Sequence, residues 1–292
     1  LNEIRQLINH FLPRAPFDAV AVGVIDFNQK TIEVVEVGED GTYFDLASIT
    51  KPLTNSLSYF LSPTFFSPEL LLCLNHRAGI PSWGLLPVPG WKAQVLSYPI
   101  KESETLYSDI SALRVLLELE KKGIKEKQLC ESIWDKEMIY WLDLPSGAKT
   151  LQTGIVNGEP NFGQVHDPNA RAIREFCSHA GIFATIQGTC RTFLNFEEKT
   201  GFISKVRSDL TLHSHRFSFG WDRVSDPNNT LAGKGCGPYT FGHLGFTGTS
   251  FWVDPDKRVG QVLLTNATKK HWFDKNVLND MRRAIGETIW KR

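Results

Sequence analysis

The chain has 292 residues, 41% hydrophobic and 22% charged, and its 32 basic and 32 acidic residues leave no net formal charge. This is ordinary globular composition, without the electrostatic footprint of a nucleic-acid or acidic-membrane binder. No stretch approaches the ~20 apolar residues that cross a bilayer, so no integral membrane segment is expected.

The first residues, LNEIRQLINHFLPRAPF, read as an amphipathic start with Ile4, Leu7, Ile8 and Leu12 on one face. They lack the apolar core of a secretory signal. Five cysteines, at 73, 130, 177, 190 and 236, form no CxxC pair and are expected to be reduced and mostly buried. Both features lean cytoplasmic; a periplasmic location applies if an export signal was removed ahead of Leu1.

DAVAVGVIDF (18–27) and TIEVVEVG (31–38) are β-rich runs around a polar NQK turn, a predicted hairpin. From Ser48 the apolar period becomes 3.6. SITKPLTNSLSYFL, SPELLLCLNHRAG and DISALRVLLELEKKG are predicted helices. Residues 139–170 are loop-rich, and short helices are expected at 172–176 and 187–196. Strands return from Phe241, where TGTSFWVDP and RVGQVLLTNA flank the turn signal DPDK. NDMRRAIGETIWKR closes the chain as an amphipathic helix. β-structure at both ends with helices between predicts an α+β fold. The terminal strands would share one antiparallel sheet, and the helical middle would be an insertion.

The stretch FDLASITKPLT (44–54) carries a Ser-x-x-Lys pair, Ser48 and Lys51. On a helix, residues at i and i+3 share a face, with Cβ atoms about 5–6 Å apart. The Lys51 amine can therefore reach the Ser48 hydroxyl, which would also feel the positive end of the helix dipole. To act as a base, Lys51 must lose its proton near neutrality, a pKa change worth roughly 4–5 kcal/mol. Serine is equally a favoured helix cap, so spacing alone leaves Ser48 open between nucleophile and cap. A second such pair, Ser146 and Lys149, sits in the loop-like PSGAK and is set aside.

Several stretches in order resolve the choice. FDLASITKPLT resembles the nucleophile motif of the serine β-lactamase-like family: class C β-lactamases, DD-peptidases and related esterases. LLCLNHRAGIPSW (71–83) is similar to the segment that follows the nucleophile helix in that family. Tyr107-Ser108-Asp109 resembles its Tyr-x-Asn motif, and VHDPNARAI with SHAGIFAT (165–185) resembles a stretch of many members. FGHLGFTGTSFWVDP (241–255) is similar to the third motif, Lys- or His-x-Gly on an edge strand. The resemblance implies a β-lactamase/transpeptidase-like fold with an antiparallel sheet flanked by helices and a shortened helical lobe. Residues 1–47 and 186–292 would form the α/β lobe, and 48–185 the mainly helical one.

It also implies roles. Ser48 would attack a carbonyl and form an acyl-enzyme, with Lys51 and Tyr107 sharing the proton traffic. The backbone N–H groups of Ser48 and Phe246, beside Gly245, would form the oxyanion hole. His243 would steer an anionic substrate or hold Tyr107. Three departures qualify this. Asp109 replaces the usual Asn; it would favour charged Lys51, meet a substrate N–H, or cap the following helix. Leu244 replaces a hydroxyl residue that helps bind a substrate carboxylate. The span from Ser48 to Tyr107 is short.

The implied activity is hydrolysis of an ester or amide, DD-peptidase-like or esterase-like, with β-lactamase activity weak or absent. The alternative is a non-catalytic relative that binds cell-wall fragments or a protein partner. No cofactor and no metal are expected; His213-x-His215 alone is a weak metal signal. The expected partner is a small-molecule or peptide substrate.

Overall fold

The computed structural model describes residues 1–38 and 40–292. Its main feature is a seven-stranded antiparallel sheet built from both ends of the chain. Strand Val20–Asp26 lies between Thr31–Val37 and Val259–Thr265. Next come Ser250–Asp254, Phe241–Leu244, Trp221–Arg223 and Phe217–Ser218. This α+β architecture is the one expected.

The alternation of side chains explains the layers. Val20, Val22 and Val24 point to one face, where they pack with Leu278, Met281 and Ile285 of the C-terminal helix Asn276–Trp290. Ala21 and Ile25 point to the other, toward helices Ile186–Thr200 and Phe202–Leu212. Both faces are covered, so the strand reads as one apolar run. Phe251 follows the same rule, its ring stacked 3.6 Å from that of Phe193. The DPDK hairpin forms, with Asp254 Oδ1 accepting from the N–H groups of Asp256 and Lys257 at 3.0 and 3.1 Å.

A second core gathers the helical middle, with Leu70 and Leu74 packed against Ile110, Leu113 and Leu116. All five cysteines are buried and unpaired. Several elements differ from expectation. The run after Ser48 is a single 3₁₀ turn, Ala47–Ile49, then a π-helical segment, Pro52–Ser56, then a short α-helix, Leu57–Leu61. Helix Pro68–Leu74 ends earlier than its apolar pattern, because Asn75 leaves the helix and His76 turns left-handed at φ 55°. Helix Pro168–Ile173 starts at the Asp167 cap, four residues before the predicted position. Asn169 bridges to the 84–86 segment, accepting from Leu86 N–H and donating to Gly84 O.

Candidate active site

Ser48 sits where the sheet meets the helical region. The preceding residue, Ala47, has φ 47°, an uncommon conformation for a residue with a Cβ. Asp45 holds it: Oδ1 accepts from Ala47 N–H at 2.8 Å, and Oδ2 accepts from His166 N–H at 2.7 Å. Burial pushes the Asp45 carboxyl up to about 6, although both backbone bonds favour its anion. The sheet then latches on. Thr247 Oγ1 donates to Asp45 O at 2.6 Å and Thr249 Oγ1 to Leu46 O at 2.9 Å. This close approach requires glycine at 245, where a Cβ would lie 2.5 Å from Leu46 O.

Lys51 follows one turn later and is buried. Its Nζ donates to Ser48 Oγ at 2.9 Å and to His179 O at 3.1 Å, and pairs with Asp109 Oδ1 at 2.6 Å. Burial opposes the ammonium, but Asp109 and then Tyr107 outweigh it, and the Lys51 pKa is raised. Asp109 is free for this pairing because it does not cap its helix: Ser108 Oγ accepts from Ser111 N–H at 2.8 Å instead.

Tyr107 lies against Lys51, with Nζ 5.0 Å from the ring centroid. His76 clamps its flanks: Leu106 N–H donates to His76 O at 2.9 Å, and Ser108 N–H to His76 Nδ1 at 3.2 Å. Burial pushes the phenol above its usual value, and Lys51 offsets only part of this. The His243 ring is 5.8 Å from that of Tyr107, and its Nδ1–H donates to Leu244 O at 2.8 Å. Burial, then the charge on Lys51, presses the imidazole pKa down to about 3. The ring is neutral, its contact with Tyr107 is the one the structure shows, and its Nε2 is buried without a hydrogen-bond partner. Strand Phe241–Leu244 does not lie at the sheet edge. Its outer neighbour pairs only with Phe241 and Gly242, so His243 and Leu244 keep an open side.

The cleft has two arms that meet at Ser48, Tyr107 and Phe246. One, of about 460 Å³, is walled by Trp83, Phe246, Trp272 and Phe273, with Asp109, His166 and Asp167 also lining it. The other, of about 360 Å³, is basic, lined by Arg216, Lys275 and Arg282. Arg216 is paired with Asp222 at 2.7 Å. Arg282 is buried and bonds Thr249 O at 2.7 Å and Asn279 Oδ1 at 3.1 Å; burial lowers its pKa to about 9. Lys275 Nζ is buried without a hydrogen-bond partner, and burial, then Arg282, lowers its pKa to about 8. Among the described residues neither Lys275 nor Arg282 has a carboxylate partner. Buried cations without a counter-charge are costly, and an anion in this arm would offset that cost. The hydroxyl lost at Leu244 therefore does not leave this arm without anion donors.

The structure brings Ser48, Lys51, Tyr107, Asp109, His243, Gly245 and Phe246 together. His213 and His215 line neither arm; His213 pairs with Asp209 at 3.7 Å and His215 is hydrogen-bonded to Arg77 at 3.0 Å. Asp45, Thr247, Thr249, Lys275 and Arg282 were not singled out from sequence, and His166 fell in the family-like 165–185 stretch without an assigned contact. The only local signal was the Thr-Gly-Thr triplet after Phe246.

A sequence model of the family described as Beta-lactamase matches residues 74–280. That span includes Tyr107, Asp109 and His243 and begins after Ser48 and Lys51. Among curated proteins, the N-acetylmuramyl-L-alanine amidase of Bacillus subtilis (strain 168) is 27% identical over 201 residues, 63% of this chain and 40% of that protein. The chain thus spans less than half the length of this curated relative. Among solved structures, a β-lactamase from Mycobacterium bovis has a TM-score of 0.61 at 16% identity, covering 97% of this chain and 98% of that one. A class C β-lactamase tyrosine-to-phenylalanine mutant scores 0.68 at 13% identity over 99% and 96% of the two chains. A class C β-lactamase in complex with cefoxitin scores 0.67 at 14% identity over 99% and 98%. These structures are similar in fold.

Proposed function

The chain belongs to the Beta-lactamase family, serine hydrolases in general type, and from that premise we propose that it hydrolyses an amide or ester through an acyl-enzyme on Ser48. The observation that carries this reading is Lys51 Nζ, 2.9 Å from Ser48 Oγ and buried at a cleft that Tyr107 also lines.

In the proposed reaction Ser48 Oγ attacks the carbonyl carbon while the N–H groups of Ser48 and Phe246 meet the developing oxyanion. The carbon–nitrogen (or carbon–oxygen) bond breaks, and the Ser48 proton reaches the leaving group by way of Lys51 and Tyr107. Water then hydrolyses the ester on Ser48. Both proton carriers are held protonated in the resting site, so turnover requires Lys51 to give up the proton that Asp109 favours. The two titrate as a coupled pair.

Among substrates, we place an amide of the N-acetylmuramyl-L-alanine kind first, ahead of DD-peptides and simple esters. The curated relative's name supports the first place, and charge supports setting both carboxylate-bearing amides ahead of simple esters. An anionic peptide arm suits Lys275 and Arg282, and would be repelled by Asp109 and Asp167 on the other side. β-Lactamase activity ranks last, because fast deacylation needs a base for water and the phenol of Tyr107 is pushed up. The rival reading is ligand binding without turnover, favoured by the ion pair that keeps Lys51 charged. Release of L-alanine from N-acetylmuramyl-L-alanine decides between them. The wild-type chain should release it and Ser48→Ala should not; equal release by both would discard the Ser48 mechanism.

A further inference from the structure

The aromatic arm of the cleft contains a polar group with nothing to bond. His166 is 6% exposed, and its Nε2 is buried without a hydrogen-bond partner. The ring is fixed edge-on to Trp272 at 4.6 Å and beside Phe246 at 5.4 Å. Its backbone N–H is tied to Asp45 Oδ2. Burial lowers the imidazole pKa to about 4, so the ring is neutral and Nε2 offers either a lone pair or an N–H. Around it Trp83, Phe246, Trp272 and Phe273 are 49%, 41%, 39% and 82% exposed, and all line the same arm as Ser48.

These features restrict the occupant. An anion would face the carboxylates of Asp109 and Asp167. A cation would find both already engaged, Asp109 with Lys51 at 2.6 Å and Asp167 with His179 Nε2 at 2.8 Å. A purely aliphatic group would cover the rings and seal His166 Nε2 away from any partner, which is unfavourable. An uncharged ring with C–H-rich faces and hydrogen-bonding substituents satisfies both the aromatic walls and the imidazole.

We infer that this arm binds an N-acetylated sugar, with His166 Nε2 as its hydrogen-bonding selector and Trp272 as its stacking face. The inference rests on the amide-hydrolase reading above, and it makes this arm the seat of the acyl part of the substrate. The charged peptide part then falls to Lys275 and Arg282.

Binding to uncleaving protein tests it. N-acetylmuramyl-L-alanine and lactyl-L-alanine, which share the amide and differ by the sugar, are titrated calorimetrically into Ser48→Ala. The sugar compound should bind at least tenfold more tightly. Adding His166→Phe, which keeps a packed ring and removes the nitrogen, should erase most of that tenfold. Adding Trp272→Ala at the cleft rim should lower it independently of any folding defect at His166. Equal affinity for the two compounds, or a preference that survives both second substitutions, overturns the inference. Cleavage by the wild-type chain is scored separately. Sugar-dependent binding without cleavage would sink the hydrolase reading and keep the sugar site.

Discussion

Lys51 keeps its proton because the Asp109 carboxylate lies 2.6 Å from Nζ and outweighs the effect of burial. Asp109→Asn removes the anion and preserves the shape. An opposite charge this close typically shifts a pKa by about 1–3 units. The rise of kcat/KM with pH should therefore begin on the order of one unit lower in Asp109→Asn, as measured by a pH–rate profile. A limb that does not move would mean that another group carries the titration. The sign for stability also follows. A lysine whose folded pKa is raised contributes stability that is fully present below its unfolded pKa and lost only as pH rises through the folded value. Between pH 6 and 9 the pair should therefore give a constant contribution. The Ser-x-x-Lys spacing made this contact legible in the sequence, and Asp109 stood out as a departure. What was not legible was which neighbour caps the helix, since Ser108 and Asp109 are both good caps and only backbone geometry separates them.

At the scale of elements, the nucleophile turn is held by parts distant in sequence. Asp45 accepts from both Ala47 and His166, and a side-chain amide offers only one acceptor oxygen. Asp45→Asn should leave one buried N–H unpaired and cost about 1–3 kcal/mol in urea unfolding, with slower modification of Ser48. An unchanged midpoint would show that water or a shift of the turn replaces the lost bond. The sheet hairpins were legible because period-2 runs end at strong turn residues. The π-helical segment after Lys51 was not, since Pro52 and an apolar 3.6-residue pattern suit an ordinary helix equally well. Helix Glu126–Glu131 supplies a second test. Glu126 is buried, neither carboxyl oxygen has a hydrogen-bond partner, and burial raises its pKa from 4.5 to about 8. Its folded pKa exceeds the unfolded one, so the folded state binds more protons between the two values, and stability falls as pH rises from about 4.5 toward 8. Glu126→Gln should remove that slope and stabilise the protein near pH 7 by up to roughly 3 kcal/mol. Parallel stability–pH curves for the two proteins would contradict this.

For the whole molecule, the separation of charge across the cleft comes from the topology. The C-terminal helix returns beside strand Phe241–Leu244 and delivers Lys275 and Arg282 to one arm. The 165–183 stretch delivers His166 and Asp167 to the other. The 165–185 stretch carried a family resemblance without a role for His166, and no local motif records Lys275 or Arg282, which is why the sequence exposed the nucleophile set more fully than the substrate arms. Lys275 has a depressed pKa of about 8, so affinity for a carboxylate-bearing substrate should weaken as pH rises through that value. Lys275→Met should raise KM for such a substrate roughly tenfold at pH 7, as expected for one lost charge-assisted contact, and abolish that pH dependence. Equal KM values would place the anion elsewhere.

The central claim is that Ser48 is a live nucleophile, and it is tested most directly by intact mass after incubation with a fluorophosphonate probe. The wild-type chain should gain one adduct, and Ser48→Ala, shown to be folded by circular dichroism, should gain none. No adduct on folded wild-type protein, or an adduct that persists in Ser48→Ala, would contradict the account.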